Sequence, residues 1–423
     1  MTENGVRNRH KSVKQNGEAT HEEAKKEYEE FAIRESPLTS LIDSSLHIRA
    51  IYHIFVVILL VLICDTVIFD LVESGKINIG LTVVAAGFGD IRRGLKLWVY
   101  DFCVAMSFYP LLMVYARIGA ISRKYPVLRP TVVVLGVAGF IAIEVAVAAV
   151  PVFELGKKHL ELGSSVAVTC EMFRFMMKLV AIASACGPRC LSGKTPLPTF
   201  KHFVYFMFAP TLLYRDQYPR TKKIRWGVVV FHLLEVAAVI FYNCFLWERF
   251  IMPYWSDYGK EKTVEAGVVV RGMFACVLPG VISFLCGFYC VLHAWLNAWS
   301  EMLKFGDRLF YEVSAIAHEI ILALSFGFFY PVLLVEFGVL GVIMVPLTAT
   351  AGRRFPSAFN LLMWLGFFIG NGVLWSLYPM EYFARRNCPP SENDSFFIPK
   401  SWTCPEVILK PNWTFQNPLR MFS

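Results

Sequence analysis

His318 is the residue in this chain whose type and setting most clearly suggest chemistry. It lies in the otherwise almost wholly apolar stretch Val313–Gly327, and Glu319 follows it directly. An ionisable pair is costly at membrane depth, so such a pair marks an ion pathway, a ligand site or a proton-transfer site. An imidazole with an ordinary pKa of ~6.5 can take a proton from a hydroxyl at neutral pH, the work of a general base. The competing reading is a histidine hydrogen-bonded to a neighbouring helix. A short polar loop, Lys304-Phe-Gly-Asp-Arg-Leu-Phe-Tyr-Glu312, runs straight into this segment.

The elements that must position these residues are membrane helices. Of the 423 residues, 56% are hydrophobic and only 17% charged, against roughly 25% charged in a typical soluble domain. The apolar runs are long and do not alternate, which argues against a β-barrel. Runs able to span a bilayer, roughly 17–25 residues each, fall at about 51–70, 97–117, 131–153, 227–247, 267–297 and 358–378. The run 165–186 is weaker, because Glu171, Arg174 and Lys178 interrupt it. Their helical spacing sets them on one face, expected to point into the bundle. The run 313–347 is expected to divide at Phe329-Tyr-Pro331, since proline breaks the hydrogen-bond ladder. The sequence therefore predicts an all-α polytopic membrane protein with about nine transmembrane helices. A polar tail over 1–48, a membrane domain over 49–380 and a C-terminal tail over 381–423 are its expected divisions.

The net charge of +8 fits basic loops on the cytoplasmic side of a membrane better than nucleic-acid binding, for which no motif is present. Arg92, Arg93 and Lys96, with the basic stretch Lys194–Arg225, mark that side. An odd number of spans from a cytoplasmic N-terminus puts the C-terminal tail in the lumen. Cys388 and Cys404 flank a Pro/Ser/Asn-rich loop there and fit a disulfide in an oxidising compartment. The sequons at Asn393 and Asn412 agree with that side. Phe203–Phe208 reads as an amphipathic segment lying on or dipping into the cytoplasmic leaflet. No internal repeat supports an inverted-repeat transporter. No His/Cys/Asp cluster has ligand spacing along the chain, so no metal and no cofactor are expected.

Several long segments resemble the sterol O-acyltransferases of the membrane-bound O-acyltransferase superfamily. They are Tyr205–Thr221 with Ile224-Arg-Trp226, His293–Tyr311, Ile51-Tyr-His53, Ser314-Ala-Ile-Ala-His-Glu319, Phe328-Phe-Tyr-Pro331, and Glu381–Cys388 with Ser401-Trp-Thr-Cys404. The resemblance implies the membrane-bound O-acyltransferase fold, an endoplasmic reticulum membrane location and a homo-oligomer. It implies acyl transfer from a long-chain fatty acyl-CoA to the 3-hydroxyl of a sterol, within membrane lipid. By the same resemblance His318 is the general base, Ser314 lies near the acyl-CoA and His53 lies near the sterol path. Arg215, Arg220, Lys222, Lys223 and Arg225 could attract the CoA phosphates, or serve only as a basic cytoplasmic loop.

The chain departs from the family pattern at one junction. The family's loop motif reads Phe-Tyr-x-Asp-Trp-Trp-Asn and leads to a second active-site residue, an asparagine. Here Phe310-Tyr-Glu312 passes directly to Val313. Asn297 and Asn371 do not stand at the matching place, and Ile320 replaces the family's tyrosine after His-Glu. Five residues between Glu312 and His318 give about 7.5 Å of helix, too short to carry His318 from the cytoplasmic face to the middle of a core ~30 Å thick. The expectation is a shortened acyltransferase with little or no turnover. The alternatives are a non-catalytic membrane subunit or pseudoenzyme, and a diacylglycerol O-acyltransferase.

Overall fold

The computed structural model describes residues 32–75, 87–157, 160, 162–193, 196–309, 354–390 and 398–409. Within them the regular secondary structure is helical except for two three-residue strands. Among the described residues, six helices are long and apolar enough to cross a membrane, within Leu46–Val72, Ile91–Lys124, Pro126–Leu155, Trp226–Trp255, Val277–Met302 and Pro356–Asn387. Five of them match strong apolar runs of the sequence, while the run 267–297 divides at Cys276 and its span begins at Val277; the protein is an all-α, multi-pass membrane protein. The expected spans over 313–347 lie outside the described residues.

The helices start and stop where local chemistry dictates. A short helix, α1 (Pro37–Ser44), leads into α2 (Leu46–Ser74). Ser45 caps α2 by accepting the Ile48 amide, and Gly75 ends it in the left-handed conformation that glycine adopts freely. Helix α3 (Ile91–Lys124) is followed by α4 (Arg129–Lys157) and α5 (Leu162–Ser192). Thr199 caps α6 (Phe200–Phe208) through the His202 amide. Helix α7 (Trp226–Leu246) continues through a widened, π-type turn at Trp247–Ile251 into α8 (Met252–Trp255). Strand β1 (Thr263–Glu265) leads to α9 (Ala266–Ala275) and α10 (Val277–Phe288). A second π-type turn at Tyr289–Trp295 joins α10 to α11 (Leu296–Met302). Helix α12 (Pro356–Asn387) opens with proline at its first position, where the missing amide costs nothing.

Two packed groups result. Helices α3, α4, α5 and α6 share a core built around Phe108, Phe175, Leu179, Ile182, Phe203 and Phe206. Gly119 lets α3 lie against α5, since a Cβ there would meet the Cys190 carbonyl at 2.6 Å. The second group joins α7, α10, α11 and α12, with Trp255, Cys276, Met380 and Ala384 buried together at one end. That end carries the Cys388–Cys404 disulfide and the parallel pairing of β1 with β2 (Glu406–Ile408). Buried Glu381 receives the Lys400 and Ser401 amides at 2.9 and 2.8 Å, which fastens the disulfide loop to α12. Both sequons lie outside the described residues.

The sequence reading of α6 needs one revision. Phe203, Phe206 and Met207 are buried against α3 and α5 rather than turned to lipid. Its apolar face meets a protein partner, and periodicity alone cannot tell such a face from one that meets a leaflet.

Candidate active site

The Lys304–Arg308 loop after α11 is held from three sides. Lys304 takes a positive φ of 55°, which turns the chain sharply. Phe305 is fully buried beside Tyr218. The Gly306 amide donates to the Pro219 carbonyl and its own carbonyl accepts from the Arg34 amide, each at 2.9 Å. A Cβ on Gly306 would press on that same carbonyl at 3.0 Å. Asp307 accepts from the amides of Ala32 and Leu309. The Thr221 amide donates to the Lys304 carbonyl at 3.0 Å.

Beneath the loop lies a buried charge cluster. Glu301, with no exposed surface, accepts from the Arg225 amide at 2.8 Å and from its guanidinium at 3.0 and 2.9 Å. Its Oε2 also accepts from Arg308, itself 97% buried. Glu35 approaches both arginines from the N-terminal segment. Bonding to Glu301 raises the Arg225 pKa and secures its charge. One carboxylate therefore ties the start of α7, the end of α11 and the 304–308 loop together.

The segment 205–225 wraps this loop. Tyr205 Oη donates to the Leu303 carbonyl at 3.3 Å and lies under the Arg220 guanidinium at 4.2 Å. Trp299 Nε1 donates to the Phe208 carbonyl at 2.7 Å. Asp216 accepts twice from Arg189, and that bonding holds its carboxyl below the usual range. Burial pushes the Tyr218 hydroxyl upward, so it stays protonated while it donates to the Leu213 carbonyl. Of the five basic side chains expected to meet CoA phosphates, Arg225 is engaged with Glu301 and Arg220 with Tyr205. Lys222 and Lys223 are exposed.

On α5, the three charged residues do face the bundle. Arg174 pairs with Glu171 at 2.7 Å, and Trp98 Nε1 donates to the same carboxylate at 2.8 Å. Lys178 is buried and donates to the carbonyls of Phe206 and Ala209, both at 2.6 Å. These contacts anchor the end of α6, where the Ala209-Pro-Thr-Leu segment begins.

A second polar cluster lies between α2, α7 and α10–α11. Glu235 Oε1 accepts from Tyr289 at 2.5 Å and from Tyr52 at 3.2 Å, while Oε2 lies 2.7 Å from His232 Nδ1. The His232 and His293 rings meet edge to face with centroids 5.5 Å apart. His293 Nδ1 is 3.3 Å from Ser36 Oγ and 3.3 Å from Asn297 Nδ2. Sequence reasoning found no ligand cluster because Glu235 and His293 lie far apart in the chain. The His232–Glu235 spacing of three on a helix was the one legible signal.

Of the residues assigned by resemblance, His318 and Ser314 lie outside the described residues, as does the Glu312–Val313 junction. His53 sits on the exposed side of α2, next to Tyr52, whose hydroxyl enters the bundle instead. Asn297 is buried and occupied with His293, and Asn371 donates to the Phe367 carbonyl at 2.8 Å.

No protein-family model matches the chain. It is 30% identical to Sterol O-acyltransferase 1 of Mus musculus, over 89% of this chain and 79% of that protein. It is also 30% identical to Sterol O-acyltransferase 2 of Homo sapiens, over 88% of this chain and 80% of that protein. The alignment with the mouse protein extends over 444 positions, more than this chain has in total, so the relative carries stretches with no counterpart here. With 30% identity over nearly nine-tenths of its length, the chain belongs to the sterol O-acyltransferase family.

Proposed function

We propose that the protein transfers a long-chain fatty acyl group from acyl-CoA to the 3-hydroxyl of a sterol in the endoplasmic reticulum membrane, as a homo-oligomer. The observation that carries this reading is the identity to two sterol O-acyltransferases over nearly nine-tenths of the chain. His318 is the general base. It takes the hydroxyl proton as the sterol oxygen attacks the thioester carbonyl, then returns a proton to the departing CoA sulfur. No covalent acyl-enzyme is needed, and no cofactor enters the reaction. Ser314, one turn before His318, stands toward the acyl-CoA. His53 stands toward the sterol path. The 205–225 wrap and the Glu301 cluster support the reading by giving the loop before His318 a rigid base.

Turnover by the 423-residue form itself is expected to be low, because the loop passes from Glu312 to Val313 without the Asp-Trp-Trp-Asn half of the motif. The extra alignment positions of the relative support a missing internal stretch. The test is esterification of sterol with labelled oleoyl-CoA in microsomes lacking endogenous activity. A form given the relatives' segment between Glu312 and Val313 should make steryl ester, and the 423-residue form far less. His318→Ala in the restored form should then lose about 10²–10⁴-fold in rate, the usual scale for a general base. Ester formed on diacylglycerol instead would favour a diacylglycerol acceptor. A restored form that stays inactive but co-purifies with an active protomer would favour a non-catalytic subunit.

A further inference from the structure

We infer that His232, Glu235 and His293 form a binding site for a divalent transition-metal ion of the zinc type. Their available ligand atoms all lie within 4.8 Å of one another. A tetrahedral ion about 2.0–2.2 Å from each ligand holds its ligands roughly 3.3–3.5 Å apart. Side-chain adjustment of roughly 1.5 Å or less, with the His232–Glu235 pair opening slightly, therefore closes the site. Two imidazoles and one carboxylate are a zinc donor set that leaves a fourth position for water.

Two further observations separate this cluster from an ordinary polar contact between helices. First, its members are already oriented from outside. Tyr52 and Tyr289 both donate to Glu235 Oε1, which leaves Oε2 turned toward the histidines. Ser36, itself fully buried, lies beside His293 Nδ1. His293 offers Nε2 to the ion with its proton on Nδ1 and given to that hydroxyl, while Asn297 Nδ2, 3.3 Å from the same nitrogen, directs its hydrogen to the His293 carbonyl at 2.8 Å. Metal-binding histidines and carboxylates are held in this way by partners outside the coordination sphere. Second, His293 sits in the π-type turn Tyr289–Trp295. A wider turn shifts a side chain out of the α-helical register, and such turns concentrate at functional sites. His232 and His293 are 8% and 4% exposed, so an ion there would compete with little water. The proton between His232 and Glu235 would leave as the ion enters.

The experiment uses the full chain, purified in detergent without a polyhistidine tag, equilibrated with zinc and then desalted. Elemental analysis should find about one zinc per chain, and the His232→Ala/His293→Ala double variant should fall to background. Cobalt added to the wild type should give the visible absorption bands of a tetrahedral site. Glu235→Gln, which keeps the hydrogen-bonding shape, should retain its fold but lose the rise in Tm that zinc gives the wild type. Wild type holding no more zinc than the double variant, with no cobalt bands, overturns the proposal and leaves the cluster a hydrogen-bonded tie between helices.

Discussion

Glu301 carries more of the structure than any other single side chain described. Removing its charge leaves the buried Arg308 with only the half-exposed Glu35, 3.4 Å away, as a counter-charge. Glu301→Gln should cost about 3–5 kcal/mol, the usual penalty for breaking a buried pair. Arg225, at 44% exposure, can rehydrate, so the lower end of that range applies. A thermal melt in detergent reads this as a lower Tm, and Arg308→Met on the Glu301→Gln background should recover part of the loss. An unchanged melt would mean that the loop does not depend on the cluster. The charge triad on α5 was legible in the sequence because its spacing follows one helix face. The Glu301 cluster was not, since Arg225 lies 76 positions away and only the fold brings it near. His232 and Glu235 could be paired from their spacing, but His293 could not be added to them.

Among the elements, α3 and α5 come together backbone to backbone. Gly119 allows it, and even one methyl group there meets backbone rather than a flexible side chain. Gly119→Ala should therefore destabilise by about 1–3 kcal/mol, the range for overpacking. Gly139 on α4, with open space around it, is the control and should tolerate alanine. Equal melting of the two variants would show that the helices are free to separate. Five of the six spans were legible as single runs because a hydrocarbon core demands long apolar stretches. The neighbours of α6 were not, because burial against protein and burial in lipid select the same residues.

Across the whole molecule, the two basic loops, expected on the cytoplasmic side by charge bias, and the disulfide end should lie on opposite sides of the membrane. In sealed microsomes a maleimide should fail to label Cys388 and Cys404 until the membrane is opened and the protein reduced. Labelling before reduction would contradict the pairing. Replacing both cysteines should cost about 3 kcal/mol for a closed loop of this length. The cysteine pair was legible because the loop between them has the composition of an exposed turn. The proposed role of His318 rests on residue type, setting and family resemblance, since the partners that would complete such a site come from distant segments.

Lys178 has a consequence for how the chain is made. Helix α5 reaches the membrane carrying Glu171, Arg174 and Lys178, each a centrally placed charge of the kind that costs a lone helix about 2.5–3.5 kcal/mol on insertion. Trp98, which steadies Glu171, has already been synthesised by then. The carbonyls that receive Lys178 belong to Phe206 and Ala209 and have not. During translation those bonds can form only after Ala209, 31 positions beyond Lys178, has emerged. This half of the protein is therefore complete only once the chain has left the ribosome as far as Ala209.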